Sequence, residues 1–110
     1  MLRASLAVLI LLVAGAASAG ERCSALDGNT LLCRDERVLV DGLRQPGLHE
    51  PGGEEARARL QRRVHSGELI LQRKAQRDRF GRTLARAFVN GNRVTDLDLS
   101  PPSERRTARR

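Results

Sequence analysis

Short apolar runs separated by turn residues fill the sequence between residues 24 and 89, and a single helical pattern interrupts them. The runs are rich in Val, Leu and Ile, with Gly, Asn and Pro between them, which is typical of short strands joined by turns. The helical pattern follows the third run, after a predicted loop over 45–53 that holds two prolines and three glycines. The predicted strands are 24–26, 31–34, 37–43, 68–74 and 83–89.

The helical pattern covers residues 54–66. Ala56, Leu60 and Val64 recur every four residues and form a narrow apolar stripe, so one face is expected to pack. Acidic residues in the first turn and basic residues in the last complement the helix dipole, and Gly67 is a typical left-handed stop. We interpret the arginines of this helix as a solvated surface rather than a nucleic-acid patch.

This order of elements predicts a mainly β domain with one or more helices. A helix after the third of five short strands favours a small closed barrel of the OB-fold type, because closure removes the exposed strand edges. The domain is expected to span residues 20–99. Residues 100–110 are rich in Pro, Ser and Arg and predict a disordered basic tail.

Residues 1–19 have the features of a secretory signal peptide. An apolar run over 6–13 follows Arg3, and Ala17-Ser18-Ala19 is the small-residue pattern that a signal peptidase accepts. Cleavage near Ala19 would leave Gly20 as the mature N-terminus. Because the apolar run is too short for a permanent span, we expect a secreted or periplasmic protein with no membrane span.

Two cysteines, Cys23 and Cys33, flank the turn signal Asp27-Gly28-Asn29. An even number of cysteines in an exported chain usually indicates a disulfide, and a hairpin would bring these two side by side. We favour a bridge, with two separate buried thiols as the alternative. A zinc site is not expected, since neither His49 nor His65 has a suitable spacing to the cysteines.

The charge balance favours polyanions as partners. Lys and Arg number 20 against 13 Asp and Glu, which gives a formal net charge of +7. All of these basic residues except Lys74 are arginine, and a GC-rich genome alone would produce part of that excess. Trp and Tyr are absent and Phe80 and Phe88 are the only aromatic residues, so Phe80 is the one plausible platform for base stacking.

Four segments stand in the order and at the spacing of one known family: DGNT at 27–30, GLRQP at 42–46, GEEA at 53–56 and DRFGRTLA at 78–85. Together they resemble the staphylococcal nuclease-like (thermonuclease) family over about residues 24–99. The resemblance implies an OB-fold barrel that binds nucleic acid. In active members it also implies hydrolysis of phosphodiester bonds with one calcium ion, which carboxylates hold.

Compared with that family, the calcium ligands are mostly missing. Asp27 and Thr30 match the family's first turn, but Asn29 stands where the family has a calcium-binding aspartate. The register through Pro46 puts Arg44 at the second calcium-binding aspartate. Only Asp27 remains as a weak candidate ligand, and the fixed charge of Arg44 would repel a dication. We therefore expect no cofactor, or calcium if the protein is active.

The catalytic side chains are also mostly missing. The same register puts Leu39 at the first phosphate-clamping arginine and Gly47 at the water-positioning glutamate. Arg82, which corresponds to the second clamping arginine, is the only match. Arg37 and Glu50 lie near the two lost positions in the sequence and are the only candidates to replace them.

Three functions follow from these residues. The first is an exported, catalytically degenerate domain that binds nucleic acid or another polyanion through a set of arginines and the basic tail. The second is an active calcium-dependent nuclease that uses Arg82, Arg37 and Glu50. The third is a protein-interaction module with an incidental basic surface. The candidate binding residues are Arg44, Arg79, Arg82 and Arg86.

Overall fold

The computed structural model describes residues 20–101, which hold six strands and two helices. The predicted signal peptide and nearly all of the predicted tail lie outside these residues. No helix within 20–101 is long and apolar enough to cross a membrane. The elements are β1 (Ser24–Ala25), β2 (Thr30–Cys33), β3 (Glu36–Val40), α1 (Gly53–Val64), β4 (Leu69–Arg77), β5 (Thr83–Val89), β6 (Asn92–Arg93) and α2 (Asp96–Leu99).

All six strands belong to one mixed sheet with the order β1-β2-β3-β5-β4, and β6 pairs with β5. Every pair is antiparallel except β3 with β5, which are parallel and are connected in the chain through α1 and β4. The fold is thus mainly β, as predicted.

The predicted closure of the sheet is wrong. No strand pair joins β1 to β4 in the part of the chain that the structure describes. β1 is only two residues long, and the chain before it reaches β4 through a backbone hydrogen bond from Glu21 N to Leu69 O at 2.8 Å. The prediction of five strands and one helix also missed β6 and α2, which are two and four residues long.

The predicted apolar stripe of α1 is confirmed, since Ala56, Leu60 and Val64 are all buried. The inner face of the sheet supplies the opposite side of the core from β2, β3, β4 and β5. Val94 and Leu99, which follow β5, complete it. The largest fully buried side chains are Leu31, Leu60, Leu69, Leu99, Val38, Val40, Val89 and Val94.

The predicted disulfide between Cys23 and Cys33 is confirmed. Both cysteines are buried, and the bridge ties the segment before β1 to the end of β2. His65 follows α1 and its Nε2 lies 2.9 Å from the Cys23 carbonyl oxygen, so the helix is anchored beside the bridge. A disulfide is compatible with an extracellular location.

One end of the inner sheet face is closed by a polar network around Arg73. This guanidinium donates to the carboxylates of Glu21 and Glu36, and the Thr83 hydroxyl donates to Glu36 at 2.8 Å. The hydrogen bond from Arg73, followed by that from Thr83, holds the pKa of Glu36 below its usual range. Glu36 is therefore charged in the folded protein at any pH near neutrality.

We expect Glu36→Gln to remove a stabilisation that depends on pH. Because the folded-state pKa of Glu36 is lowered, its contribution is complete above the unfolded-state pKa, about 4.3, and is lost as the pH falls through the folded-state value. Urea midpoints of the native chain and the variant should differ most near neutral pH and converge in acid. Asp35→Asn, at the turn between β2 and β3, is the matched control. A gap for Glu36→Gln that stays constant with pH would contradict this assignment.

Candidate nucleic-acid interface

A tight turn between β4 and β5 positions Arg82. The Asp78 carboxylate accepts hydrogen bonds from the backbone N–H groups of Phe80 at 3.0 Å and Arg82 at 2.7 Å, and from Arg82 Nε at 2.5 Å. Gly81 lies in the left-handed region at φ 77°, where glycine is favoured. The aspartate, glycine and arginine of the DRFGR segment thus form one local unit that presents the Arg82 guanidinium.

Asp78 is ionised in this turn. Partial burial raises the pKa of its carboxyl, but the hydrogen bonds from the backbone and side chain of Arg82 and from the backbone of Phe80 outweigh it, so the pKa is lowered. Asp78 consequently neutralises part of the charge of Arg82. Any anion that binds Arg82 would share it with this carboxylate.

A second turn, between β1 and β2, lies against Arg82. The Asp27 carboxylate accepts from the backbone N–H groups of Asn29 and Thr30, both at 2.7 Å, which makes a short side-chain-closed turn. The Thr30 hydroxyl accepts from Arg82 Nη1 at 3.2 Å. Asp27 and Thr30 therefore meet Arg82, which lies 52 residues after Thr30 in the sequence, at one site.

Gly28 allows this turn to pack closely on the rest of the domain. A Cβ on this residue would lie 2.6 Å from the Gln45 Cβ and 2.8 Å from the Ala56 Cβ, which is closer than real Cβ atoms approach. Only glycine fits without a shift of the backbone. The turn is thereby held against both the loop after β3 and the helix α1.

Asn29 ties the same turn to the loop after β3. Its side-chain Nδ2 donates to the Gln45 carbonyl oxygen and its Oδ1 accepts from the Gln45 N–H, both at 2.8 Å. An aspartate could make only the second of these bonds, because it has no donor when ionised. At the position where the resembled family has a calcium ligand, this chain therefore has an amide whose two ends are both used structurally.

Arg44 is presented by a carboxylate from α2. The Arg44 N–H donates to both oxygens of Asp96, at 2.9 and 3.1 Å, and Gln45 Nε2 donates to one of them at 2.7 Å. The Arg44 guanidinium itself is exposed and makes no hydrogen bond or ion pair with any residue of the described chain. It is a solvent-facing cation on a fixed backbone.

Leu39 and Gly47, at the two positions where the resembled family has an arginine and a glutamate, carry no catalytic group. The strand register aligns Leu39 with Thr30 on one side and with Leu84 on the other, so an apolar side chain lies next to the Arg82 contact. Arg37 is exposed, and its side chain makes no hydrogen bond or ion pair with any residue within 20–101. A Cβ on Gly47 would lie 3.4 Å from Glu50 Oε1, so the carboxylate of Glu50 does lie beside Gly47.

Phe80 projects from the tip of the β4–β5 turn, and 75% of its surface is exposed. The guanidinium carbons of Arg79 and Arg82 lie 6.0 and 5.5 Å from the centre of its ring. Both distances are within the range of cation–π attraction. An exposed ring flanked by two cations is a suitable surface for stacking a base next to a phosphate.

Arg86 lies further along β5 in a cluster that the sequence analysis did not find. The Asp41 carboxylate is surrounded by three cations: Lys74 Nζ at 2.7 Å, Arg93 Nη2 at 3.6 Å and Arg86 Nε at 3.8 Å. The hydrogen bond from Lys74 lowers the pKa of Asp41, and partial burial opposes it. Strand alternation alone predicts that Arg82 and Arg86 lie on one side of β5. It does not predict that Lys74 and Arg93 join Arg86 around Asp41, because that depends on which strands pair.

Few oxygen atoms at this site are free to bind calcium. Oδ1 of Asp27 already accepts two backbone hydrogen bonds, Oδ1 of Asn29 accepts one, and the nearby Arg44 is a cation. Within residues 20–101, no group of three or more His, Cys, Asp or Glu side chains is gathered closely enough to hold a metal ion.

Comparisons with known proteins leave the resemblance untested. Neither a scan against models of protein families nor a search of curated proteins found a match.

Proposed function

We propose that this chain is an exported domain related to the staphylococcal nuclease-like OB fold, with an open sheet, that binds nucleic acid or another polyanion without hydrolysing it. One observation supports this more than any other. The phosphate-clamping arginine of the resembled family is kept and built into the structure by Thr30 and Asp78, whereas the metal-binding positions hold Asn29 and Arg44. An anion site remains where a metal site would be expected.

The change in charge explains how an anion would bind without calcium. In a metal-dependent site, the dication bridges the protein carboxylates and the phosphate. Here the carboxylates are replaced by an amide engaged with Gln45 and by the guanidinium of Arg44. A phosphate can bind Arg44 or Arg82 directly, and bidentate pairing makes arginine well suited to that role.

Salt dependence of oligonucleotide binding tests the proposal. Binding of a labelled single-stranded oligonucleotide to the mature protein is measured by anisotropy over a range of salt concentrations. If about four arginines each contact one phosphate, the slope of log K against log salt is about −3, and affinity falls roughly 50-fold between about 50 and 200 mM salt. Arg82→Ala should make that slope shallower by about 0.7.

Arg62→Ala is the matched control, because Arg62 is exposed on α1. This substitution removes the same charge as Arg82→Ala but lies outside the proposed interface. It should leave the affinity nearly unchanged. Affinity that does not fall with salt, or equal losses for Arg82→Ala and Arg62→Ala, would contradict the proposal.

A calcium-dependent nuclease is the second candidate, and the position of Glu50 beside Gly47 favours it. In that case Glu50 would position water, and Arg37 and Arg82 would stabilise the phosphate. Cleavage of single-stranded DNA by the mature protein is therefore measured with calcium and with EDTA. Calcium-dependent cleavage that Arg82→Ala and Glu50→Gln both abolish would establish this candidate in place of the first.

A further inference from the structure

We infer that the cluster around Asp41 is a second phosphate-binding subsite, and that the ligand is a single nucleic-acid strand lying along β5 from Phe80 to Arg93. The inference rests on the proposed function and specifies its ligand. The cluster consists of Asp41, Lys74, Arg86 and Arg93.

Two arginines of the cluster have hydrogen-bond donors without an acceptor within residues 20–101. Nitrogens of Arg86 and Arg93 lie 3.8 and 3.6 Å from Asp41 Oδ2, which is too long for a hydrogen bond. Neither guanidinium hydrogen-bonds to any other residue within 20–101. Both converge on the same carboxylate, with 45% and 42% of their side-chain surfaces exposed. Their N–H groups are available to an anion that arrives from solvent.

The cluster carries a net positive charge, with three cations around one carboxylate. Lys74 hydrogen-bonds to Asp41 at 2.7 Å and can neutralise its charge. The two guanidiniums then remain uncompensated within one small area. Arginine pairs held in this way bind phosphate oxygens with two parallel hydrogen bonds each. The cluster is therefore a cationic site in which one acid lies among three cations and offsets only one of their charges.

The cluster is aligned along β5 with the site at Arg82 and Phe80. Residues 83, 85, 87 and 89 of β5 are buried, so Arg86 and Phe88 project from the opposite face, on which Arg82 also lies just before the strand. Arg82 and Arg86 are about 13 Å apart along the strand direction. Arg93 extends the row, because it pairs with Phe88. One continuous track thus leads from the exposed Phe80 ring to Arg93.

The composition of this track favours a single strand over a duplex. Half-buried Leu84 and Phe88 and the exposed Ile70 alternate with the cations on the same face. Unpaired bases can contact such apolar patches and stack on Phe80, while their phosphates contact the arginines. A duplex hides its bases and would gain only the phosphate contacts.

A length series tests the inference with the mature protein. Labelled thymidine oligonucleotides, a dinucleotide and a dodecanucleotide, are titrated against the native chain, Arg93→Ala, Arg86→Ala and Arg82→Ala. We expect Arg93→Ala and Arg86→Ala to weaken dodecanucleotide binding about tenfold each and to make the salt slope shallower by about 0.7, with little effect on the dinucleotide. Arg82→Ala should weaken both ligands.

Asp41→Asn tests the charge argument in the opposite direction. Removing the one negative charge among the three cations should tighten dodecanucleotide binding about fivefold, since a unit charge near a bound phosphate costs about 1 kcal/mol in water. Asp35→Asn removes the same charge at the turn between β2 and β3 and should change the affinity much less.

Three results would overturn the inference alone: no loss of dodecanucleotide affinity in Arg93→Ala and Arg86→Ala, equal losses for the dinucleotide, or equally tight binding of a duplex dodecamer. In each of these results, salt-sensitive binding that Arg82→Ala weakens would leave the proposed function standing. If neither oligonucleotide binds the native chain, both the inference and the proposed function fail.

Discussion

Truncation of Leu60 to alanine lowers the free energy of unfolding by about 2–5 kcal/mol. Leu60 is fully buried at the centre of the apolar stripe of α1, with Ala56 and Val64 on either side. The stripe packs against β1 and α2 and covers the inner face of the sheet. Removing the isobutyl group loses its burial and leaves a cavity that the short neighbouring elements fill only in part.

Urea unfolding of the native chain and the variant measures this effect. A domain of this size is expected to have a total stability of about 4–12 kcal/mol, so the loss should be a large part of the whole. Arg62→Ala lies on the same helix but on its exposed side, and should change the stability by less than about 0.5 kcal/mol. Equal effects of the two substitutions would mean that α1 does not contribute its stripe to the core.

Local patterns in the sequence predicted the helix and the longer strands well. The stripe of α1 repeats every four residues, and that period is a property of the helix alone, so no knowledge of the partner surface was needed. The Cys23–Cys33 bridge could be predicted equally well, because the turn residues lie between the two cysteines in the sequence. These elements differ from their predicted ranges only at their ends. For example, β3 ends at Val40, shortly before Gly42 at φ 85°, and β4 continues to Arg77.

The pairing of the sheet could not be predicted in the same way. The parallel pairing of β3 with β5 joins segments separated by α1 and β4, and no local pattern specifies its register. A register shift in β4 between Arg73 and Arg77 further changes which side chains meet. The cluster of cations around Asp41 depends on both features. It could therefore be found only from the structure.

The candidate interface also has parts that the sequence predicted and parts that it did not. The resemblance to a nuclease family singled out Arg82 and Thr30, and the structure brings these two together at 3.2 Å. The hydrogen bonds of Asp96 to the loop after β3 span more than fifty residues of sequence and were not anticipated. One signal was available, since Thr95 and Asp98 form a capping box that indicates the start of α2.

Asn29 has a structural role at a position where the resembled family has a calcium ligand. Its two hydrogen bonds to the Gln45 backbone join the turn after β1 to the loop after β3, which carries Arg44. An aspartate would lose the bond to the Gln45 carbonyl oxygen, because an ionised carboxylate has no donor. Asn29 therefore helps to fix the loop backbone that presents Arg44.

Reduction of the Cys23–Cys33 bridge should lower the free energy of unfolding by about 2–3 kcal/mol, because the bridge limits the unfolded chain to a closed loop between residues 10 positions apart. The folded protein depends on it at an edge of the sheet, where β1 has only two residues. Thermal or urea midpoints with and without dithiothreitol measure the loss, and the Cys23→Ala, Cys33→Ala double variant should reproduce it. Dithiothreitol should have no effect on that variant. An unchanged midpoint for the reduced native chain would show that packing around β1 is sufficient without the bridge.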